Sequence, residues 1–243
     1  MRFIMELSRD EIKNENIRKT AKKLTDMMTS EEKIYQTLNS TPPIERLGIN
    51  GYDWWNEGLH GVARAGLATV FPQAIGLAAT WDETLAEQVA DAVSTEARAK
   101  YNMQQRMDDT GRYKGLTLWA PNINIFRDPR WGRGHETYGE DPYLTSRMGI
   151  RFIEGLQGHD ENYLKSAACV KHFAVHSGPE GLRHEFNAVV SKKDMYDTYL
   201  PAFKACIQEA HVEAVMGAYN RTNGEPCCGS HTLLIDILRN EFG

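Results

Sequence analysis

Residues 167–173 read Ala-Ala-Cys-Val-Lys-His-Phe, an apolar run that carries two polar side chains, Lys171 and His172, near its end. A short, continuous apolar run is typical of a strand that is buried on both faces. Such strands occur mainly in parallel sheets that are covered by helices. The run therefore predicts a buried strand with Lys171 and His172 where the strand ends.

Amphipathic stretches stand on both sides of this strand. Before it, Asp141 and Pro142 are suitable as the N-cap and first residue of a helix, and Gly158 can end that helix. After it, Ser191 can cap a second helix, in which Pro201 should cause a kink or a restart. A strand between helices is the repeating unit of α/β folds.

The same rhythm extends along most of the chain. Strands are predicted over residues 116–120 and 213–219, and a long helix from Thr80, which has capping-box spacing with Glu83, to about Arg106. This alternation fits both a doubly wound sheet and a (β/α)8 barrel. No Gly-rich phosphate fingerprint follows a predicted strand, so the barrel is favoured.

The predicted organisation is a helical N-terminal arm over residues 1–43 and a partial barrel over residues 44–243. Residues 14–39 read as one or two polar helices, and a Pro-Pro pair interrupts the chain after them. Residues 241–243, Glu-Phe-Gly, read as the approach to a further strand. We therefore expect a (β/α)8 TIM-type barrel that is incomplete at its C-terminal end.

Composition narrows the class of function. The 243 residues are 41% hydrophobic, which is enough for a sizeable core, and the net charge of -5 argues against a nucleic-acid partner. The first 33 residues do not resemble a signal peptide, and no run approaches the length of a membrane span. The four cysteines have neither disulfide nor metal-type spacing. We expect a cytoplasmic protein with a neutral or small polar ligand and no membrane partner.

Residues 52–58 combine two indole rings with the carboxylate of Glu57. A pyranose presents apolar C–H faces and a rim of hydroxyl groups, which suit aromatic rings and carboxylate or amide groups. Trp pairs are also common in protein cores. The neighbouring polar side chains favour a binding role for Glu57.

A long polar loop, residues 122–142, follows the strand predicted over residues 116–120. Long loops in compact domains are usually functional or disordered, and this one is too rich in Trp, Tyr and Arg for disorder. Its arginines could form a phosphate cluster, but acidic residues such as Glu136 nearly cancel their charge. We expect an ordered loop over the barrel mouth, with most charges in ion pairs and one or two left for a ligand.

Lys171 and His172 permit several interpretations. A lysine at the end of a buried strand is costly unless it is paired or binds a ligand, so Lys171 could be a Schiff-base lysine or a donor to sugar hydroxyls. Adjacent strand residues point in opposite directions, so both side chains can face the lumen only where the strand twists or ends. His172 and His176 lack the context of a helical zinc motif, and no metal is expected.

Met216 and Tyr219 lie near the end of the strand predicted over residues 213–219. The Tyr219 hydroxyl can face a ligand there. A tyrosine at a strand end is otherwise a common residue at the rim of a core.

Four motifs together resemble those of family 3 glycoside hydrolases. In chain order they are Asn56–Gly61, Gly132–Pro142, Lys171–Phe173 and Met216–Asn220. The likeness runs from about Tyr52 to the end of the chain. The Trp-Trp-Asn-Glu form is most similar to the β-xylosidase branch, with β-glucosidases as close relatives.

This resemblance implies a (β/α)8-type barrel and retaining hydrolysis of β-linked glycosides, which releases xylose or glucose from the non-reducing end. It implies neither a metal nor an organic cofactor. The implied substrate-binding residues are Glu57, Arg133, Lys171, His172, Met216 and Tyr219.

The resemblance also implies a role for each of these residues. Arg133, Lys171 and His172 would hold hydroxyls of the sugar on the non-reducing side of the cleaved bond. Tyr219 would lie beside the reacting carbon, and Met216 would line the wall. Glu57 would stand where β-glucosidases usually carry Asp. Its longer side chain would leave less space for a hydroxymethyl group and so favour a pentose.

Retaining hydrolysis requires two carboxyl groups roughly 5 Å apart. The resemblance places the nucleophile beyond Gly243 and the acid/base in a second domain. We therefore expect a fragment that is inactive alone, whose partners are a β-linked glycoside, the rest of the barrel and the second domain. The alternatives are a non-catalytic sugar-binding module, a catalytic pair of Glu57 and Glu136, and an aldolase-type barrel that uses Lys171.

Overall fold

The computed structural model describes residues 9–243, with side chains from residue 15 onwards. The chain divides into two compact units, with the boundary between Asp53 and Trp54. The domain division predicted at residues 43 and 44 stays a prediction. Over the described residues, the longest helices are too polar to span a membrane.

The first unit contains two helices and a small sheet. Helix α1 (Arg9–Met27) and helix α2 (Ser30–Tyr35) lie where the sequence predicts polar helices. Thr29 and Glu32 form a capping box that begins α2, since each side chain bonds the backbone N–H of the other. Strands β1 (Ser40–Thr41) and β2 (Tyr52–Asp53) then pair antiparallel.

The second unit contains five α-helices among the described residues. They are α3 (Ala74–Ala78), α4 (Glu83–Arg106), α5 (Pro142–Gln157), α6 (Lys192–Asp194) and α7 (Pro201–Gln208). A π-helical turn, Met195–Tyr199, separates α6 from α7, and a second π-helical segment spans Thr232–Glu241. Pro201 stands in the first turn of α7, so the predicted restart is what occurs.

The predicted caps are correct for α5 and wrong for α4. Asp141 caps α5, Pro142 begins it and Gly158 ends it, as predicted. The prediction that Thr80 caps α4 is wrong, because the Asp82 carboxylate accepts the hydrogen bond from the Leu85 N–H at 3.0 Å. The strong preference of Asp for the N-cap position explains this choice.

The central sheet consists of three parallel strands in the order β3 (Thr117–Leu118), β4 (Ala167–Phe173) and β6 (Ala214–Gly217). A second sheet joins β5 (Asn187–Ala188), β7 (Arg221–Thr222) and β8 (Glu225–Pro226). The fold is therefore mixed α/β. The sheets of the described residues do not close on themselves.

Helices α4 and α5 cover the central sheet side by side. The Ser94 hydroxyl of α4 donates to the Gly155 carbonyl of α5 at 2.8 Å. A Cβ atom at Gly155 would lie only 2.3 Å from the carbonyl oxygen of Glu87, so this contact requires glycine. The apolar faces of both helices, which include Val93 and Phe152, are fully buried.

Strand β4 is irregular near its end. Its register with β6 shifts between Lys171 and Phe173. A regular strand would turn Lys171 and His172 to opposite faces. The register shift thus lies at the position where the strand must deviate from regular geometry if Lys171 and His172 are to face the same site.

Candidate functional site

Backbone pairing brings four segments of the chain to one edge of the central sheet, namely those that contain Asn56, Asn122, Lys171 and Met216. Asn56 forms a parallel bridge with Leu118 of β3, and Asn122 forms one with Lys171 of β4. Lys171 is in turn paired with Met216 of β6. Because these strands are parallel, their carboxyl ends meet at this edge, where α/β folds place their sites.

Glu57 follows Asn56 and is held at both carboxylate oxygens. The Trp55 indole donates to Oε1 at 3.0 Å, and the Arg64 guanidinium donates to Oε2 at 3.3 Å. The Trp55 ring stacks on Trp119, with centroids 5.0 Å apart. Glu57 is half-buried, so its carboxylate is oriented while remaining accessible.

Arg133 connects the long loop to the end of β4. Its guanidinium donates to both oxygens of Glu136, at 2.7 and 2.5 Å, and to His172 Nε2 at 3.1 Å. Burial alone would raise the pKa of Glu136, but the Arg133 hydrogen bonds and charge hold it below its usual range. An ionised carboxylate held at both oxygens is a poor general acid, which argues against the Glu57–Glu136 pair.

Lys171 is 8% exposed. Over the described residues, its ammonium group has neither a hydrogen bond nor an ion pair. Burial, with a contribution from the Arg133 charge, lowers the pKa of Lys171 to about 8, while Glu136 and Glu57 oppose that shift. An ammonium group has three donors and no acceptor. Lys171 Nζ is not among the fully buried polar atoms without a partner over the described residues, so its three donors are reachable and can bind a ligand.

His172 is buried beside Lys171 and is neutral at pH 7. Burial lowers the pKa of its imidazole well below the usual range, and the Arg133 and Lys171 charges add to that shift. Asn124 holds the ring, with Oδ1 lying 2.9 Å from His172 Nδ1. Sequence reasoning missed Asn124. The polar–apolar alternation of Asn122, Ile123 and Asn124 after β3 was the available signal.

The other two predicted residues lie on β6 and just after it. Met216 is half-buried opposite Lys171. Tyr219 is 62% exposed, and its ring stacks on His184, with centroids 4.7 Å apart. The contacts of Tyr219 are therefore with the loop after β4, and its placement beside a ligand stays a prediction.

Sequence reasoning considered His176 only as a metal ligand, and it missed the contact of this ring with His172. The His176 ring lies 4.8 Å from that of His172 and 5.7 Å from that of Trp131. Burial lowers its pKa to about 4, and the Arg133 charge adds to this effect. The described residues include no group of three or more His, Cys, Asp or Glu placed to hold a metal ion.

The predicted site residues at this edge of the sheet include both hydrogen-bond donors and hydrogen-bond acceptors. Lys171 and Arg133 can only donate, whereas Glu57 and the neutral His172 Nε2 can accept. Each hydroxyl of a sugar both donates and accepts hydrogen bonds. The site is therefore suited to a neutral, hydroxyl-rich ligand.

Comparison with protein families gives one match over most of the chain. The sequence model described as "Glycosyl hydrolase family 3 N terminal domain" matches residues 51–243. The matched range includes all six predicted site residues.

Several similar proteins are named as xylosidases. The xylan 1,4-beta-xylosidase of Xylanibacter ruminicola is 50% identical over 236 residues, which cover 95% of this chain and 27% of that protein. The probable beta-D-xylosidase 7 of Arabidopsis thaliana is 43% identical over 246 residues, which cover 93% of this chain and 31% of that protein. The chain thus spans less than a third of the length of these relatives.

Solved structures give the same result. A GH3 exo-beta-xylosidase (XlnD) in complex with a xylobiose aziridine probe has a TM-score of 0.81 and 35% identity, over 90% of this chain and 29% of that one. A Bifidobacterium adolescentis GH3 beta-glucosidase has a TM-score of 0.76 and 31% identity, over 90% of this chain and 30% of that one. The chain belongs to glycosyl hydrolase family 3, through the N-terminal domain of that family.

Proposed function

We propose that this chain supplies the sugar-binding part of the active site of a retaining β-glycosidase that releases xylose, or less readily glucose, from the non-reducing end of β-linked substrates. The names of the similar proteins, xylosidases and glucosidases, support this reaction class. In this proposal the glycoside binds at the carboxyl ends of β3, β4 and β6.

The observation that carries the proposal is the state of Lys171. Lys171 is 8% exposed and its ammonium has no partner among the described residues, while Arg133 and His172 lie beside it and are linked by a hydrogen bond. Hydroxyl oxygens of a sugar would satisfy the Lys171 donors and offset the cost of burying the charge. A purely structural lysine would instead have carboxylate or carbonyl partners.

We propose that Glu57 makes the site selective for a pentose. Its carboxylate is fixed by Trp55 and Arg64, so it cannot move away easily from a larger ligand. A hexose carries an additional hydroxymethyl group that would need the space occupied by this side chain. Substitution of Glu57 by the shorter Asp should therefore shift selectivity from xylose towards glucose.

The proposal places the bond-cleaving groups outside residues 1–243. The three parallel strands would then form part of a (β/α)8 barrel that further residues complete. Those residues would supply the nucleophile, and a second domain would supply the acid/base. Glu136 is unsuited to either role because Arg133 holds both of its oxygens.

A chimera tests this function. Residues 1–243 replace the aligned part of the Xylanibacter ruminicola relative, and turnover of an aryl β-xyloside is measured with the chimera and with residues 1–243 alone. We expect turnover by the chimera and none by the shorter chain. The Lys171→Gln variant of the chimera should lose at least about a hundredfold in kcat/KM, because a charged donor to the transition state is removed.

An exposed arginine provides the matched control. Arg130 lies in the same loop as Arg133 but pairs with Asp128 at the surface, so Arg130→Gln should leave turnover unchanged. A folded chimera that binds xylose without hydrolysing the xyloside would instead support a sugar-binding module. Borohydride trapping of a carbonyl substrate on Lys171 would contradict the proposal in favour of an aldolase-type enzyme.

A further inference from the structure

Asn124 contacts the end of β4 through its side-chain amide. It is 2% exposed, and its Nδ2 donates to the carbonyl oxygens of His172 at 2.9 Å and Ala174 at 3.3 Å. Because carbonyl oxygens only accept hydrogen bonds, these two contacts identify which amide atom is nitrogen. The orientation of the Asn124 amide is therefore fixed by the backbone of β4 and the residue after it.

The oxygen of the same amide determines the protonation of the His172 ring. Asn124 Oδ1 accepts the His172 backbone N–H at 2.8 Å and lies 2.9 Å from His172 Nδ1. An amide oxygen carries no hydrogen, so the hydrogen of this contact belongs to Nδ1. On the other side of the ring, Arg133 Nη1 lies 3.1 Å from Nε2. A guanidinium has no acceptor, so Nε2 must present its lone pair.

The burial and the local charges favour the same state of the ring. His172 lies among buried side chains, with the cations Lys171 and Arg133 beside it and His176 and Arg183 contributing further. Burial disfavours a positive charge on the ring because it removes the water that would screen that charge, and these neighbouring groups would repel it. The ring is thus neutral, with one donor nitrogen and one acceptor nitrogen.

We propose that Asn124 is a positioning residue that holds His172 in its Nδ1–H tautomer and so makes Nε2 a hydrogen-bond acceptor in the site. Lys171 and Arg133 can only donate, so a hydroxyl whose oxygen they bind needs an acceptor for its own hydrogen, and Nε2 supplies one beside them. In the structure, Nε2 accepts a hydrogen bond from the Arg133 guanidinium. A bound hydroxyl would compete with Arg133 for it.

Nitrogen NMR of the unsubstituted chain tests the tautomer directly. The ring nitrogens are labelled with 15N, and His172 is assigned from the spectrum of the His172→Gln variant. We expect a hydrogen on Nδ1, a bare Nε2 and no titration of the ring between pH 5.5 and pH 7.5. A hydrogen on Nε2, or exchange between the two tautomers, would overturn the proposal.

The Asn124→Asp variant tests the consequence for binding. Its carboxylate has nearly the same size as the amide but cannot donate to the His172 and Ala174 carbonyls, and it favours the imidazolium, which has no acceptor nitrogen. We expect His172 to titrate near neutral pH in this variant. Its affinity for xylose should fall by at least about tenfold between pH 7.5 and pH 5.5, while that of the unsubstituted chain should not fall as the pH is lowered over this range.

The pH dependence separates positioning from general damage. A variant that merely loosened the fold would weaken binding equally at both pH values, and that result would contradict the proposal. Asn102→Asp, on an exposed position of α4, adds the same charge elsewhere and should leave the profile unchanged. The binding experiment rests on the proposed sugar site, whereas the tautomer experiment needs no ligand. A bare Nε2 without xylose binding would therefore contradict only the proposed function.

Discussion

At the scale of single residues, the protonation states of the site follow from burial and neighbouring charge. Lys171 and His172 are adjacent and both buried, and burial shifts the pKa of each in the same direction. The two side chains nevertheless differ in charge at neutral pH, because the ordinary pKa of lysine is far above 7 and that of histidine is already below it. Lysine remains a cation at neutral pH, whereas histidine becomes a neutral acceptor. Sequence alone identified both residues, but their hydrogen-bonding roles depend on Asn124 and Arg133, which are distant in the chain.

The lowered pKa of Lys171 predicts a pH dependence for sugar binding. The ammonium donates to ligand hydroxyls only while it is protonated, so affinity should be constant from pH 6 to pH 7 and should fall as the pH rises through about 8. Each unit above that value should weaken binding by up to about tenfold. Calorimetric titration of xylose between pH 6 and pH 9.5 measures this profile.

A variant without the titrating group provides the control. Lys171→Gln should bind xylose more weakly than the unsubstituted chain at pH 6 and should show no step near pH 8. If the unsubstituted chain binds equally well at pH 6 and pH 9.5, the ammonium does not contribute to the affinity.

At the scale of helices and strands, local signals predicted the start of α5 and α7 but not the cap of α4, which is Asp82 and not Thr80. The Asp141 cap and the restart at Pro201 depend only on adjacent residues, and both predictions are confirmed. The strand predicted over residues 116–120 is shorter in the structure, Thr117–Leu118. Strand length depends on which backbone groups find partners in other strands. Composition cannot specify those partners.

The close contact between α4 and α5 predicts the effect of adding one methyl group. Gly155→Ala would place its Cβ 2.3 Å from the Glu87 carbonyl oxygen and 2.8 Å from the Ala90 Cβ. The helices would have to separate, so the free energy of unfolding should fall by about 1–3 kcal/mol. Urea denaturation followed by circular dichroism measures this change.

Gly76 in α3 is the matched comparison. A Cβ there meets only the Pro72 Cβ, at 3.7 Å, which is ordinary contact. Gly76→Ala should leave stability unchanged or raise it by up to about 1 kcal/mol, because alanine is the better helix former. Equal effects of the two substitutions would mean that α4 and α5 tolerate separation at Gly155.

At the scale of the whole molecule, the sequence predicted the α/β class and the family but not every contact of the site. The motifs around Glu57 and Lys171 identified residues that backbone pairing brings to one edge of the central sheet, and a side-chain hydrogen bond to His172 joins Arg133 to them. Tyr219 shows the limit of this reasoning, since its exposed ring contacts His184. Side chains that follow a strand by only a few residues are directed by loop contacts, which no motif specifies. Closure of the sheet into a barrel stays a prediction for a different reason, because the central sheet of the described residues has three strands, β3, β4 and β6.

The central claim is that Lys171, Arg133, His172 and Glu57 form a sugar-binding site within residues 1–243. The most direct test is calorimetric titration of D-xylose into the unsubstituted chain and its Lys171→Gln variant at pH 6.5. We expect saturable binding at millimolar or lower concentration, about −4 kcal/mol or stronger, and at least a tenfold loss in the variant. Absence of saturable binding, or equal affinity in the two proteins, would contradict the account.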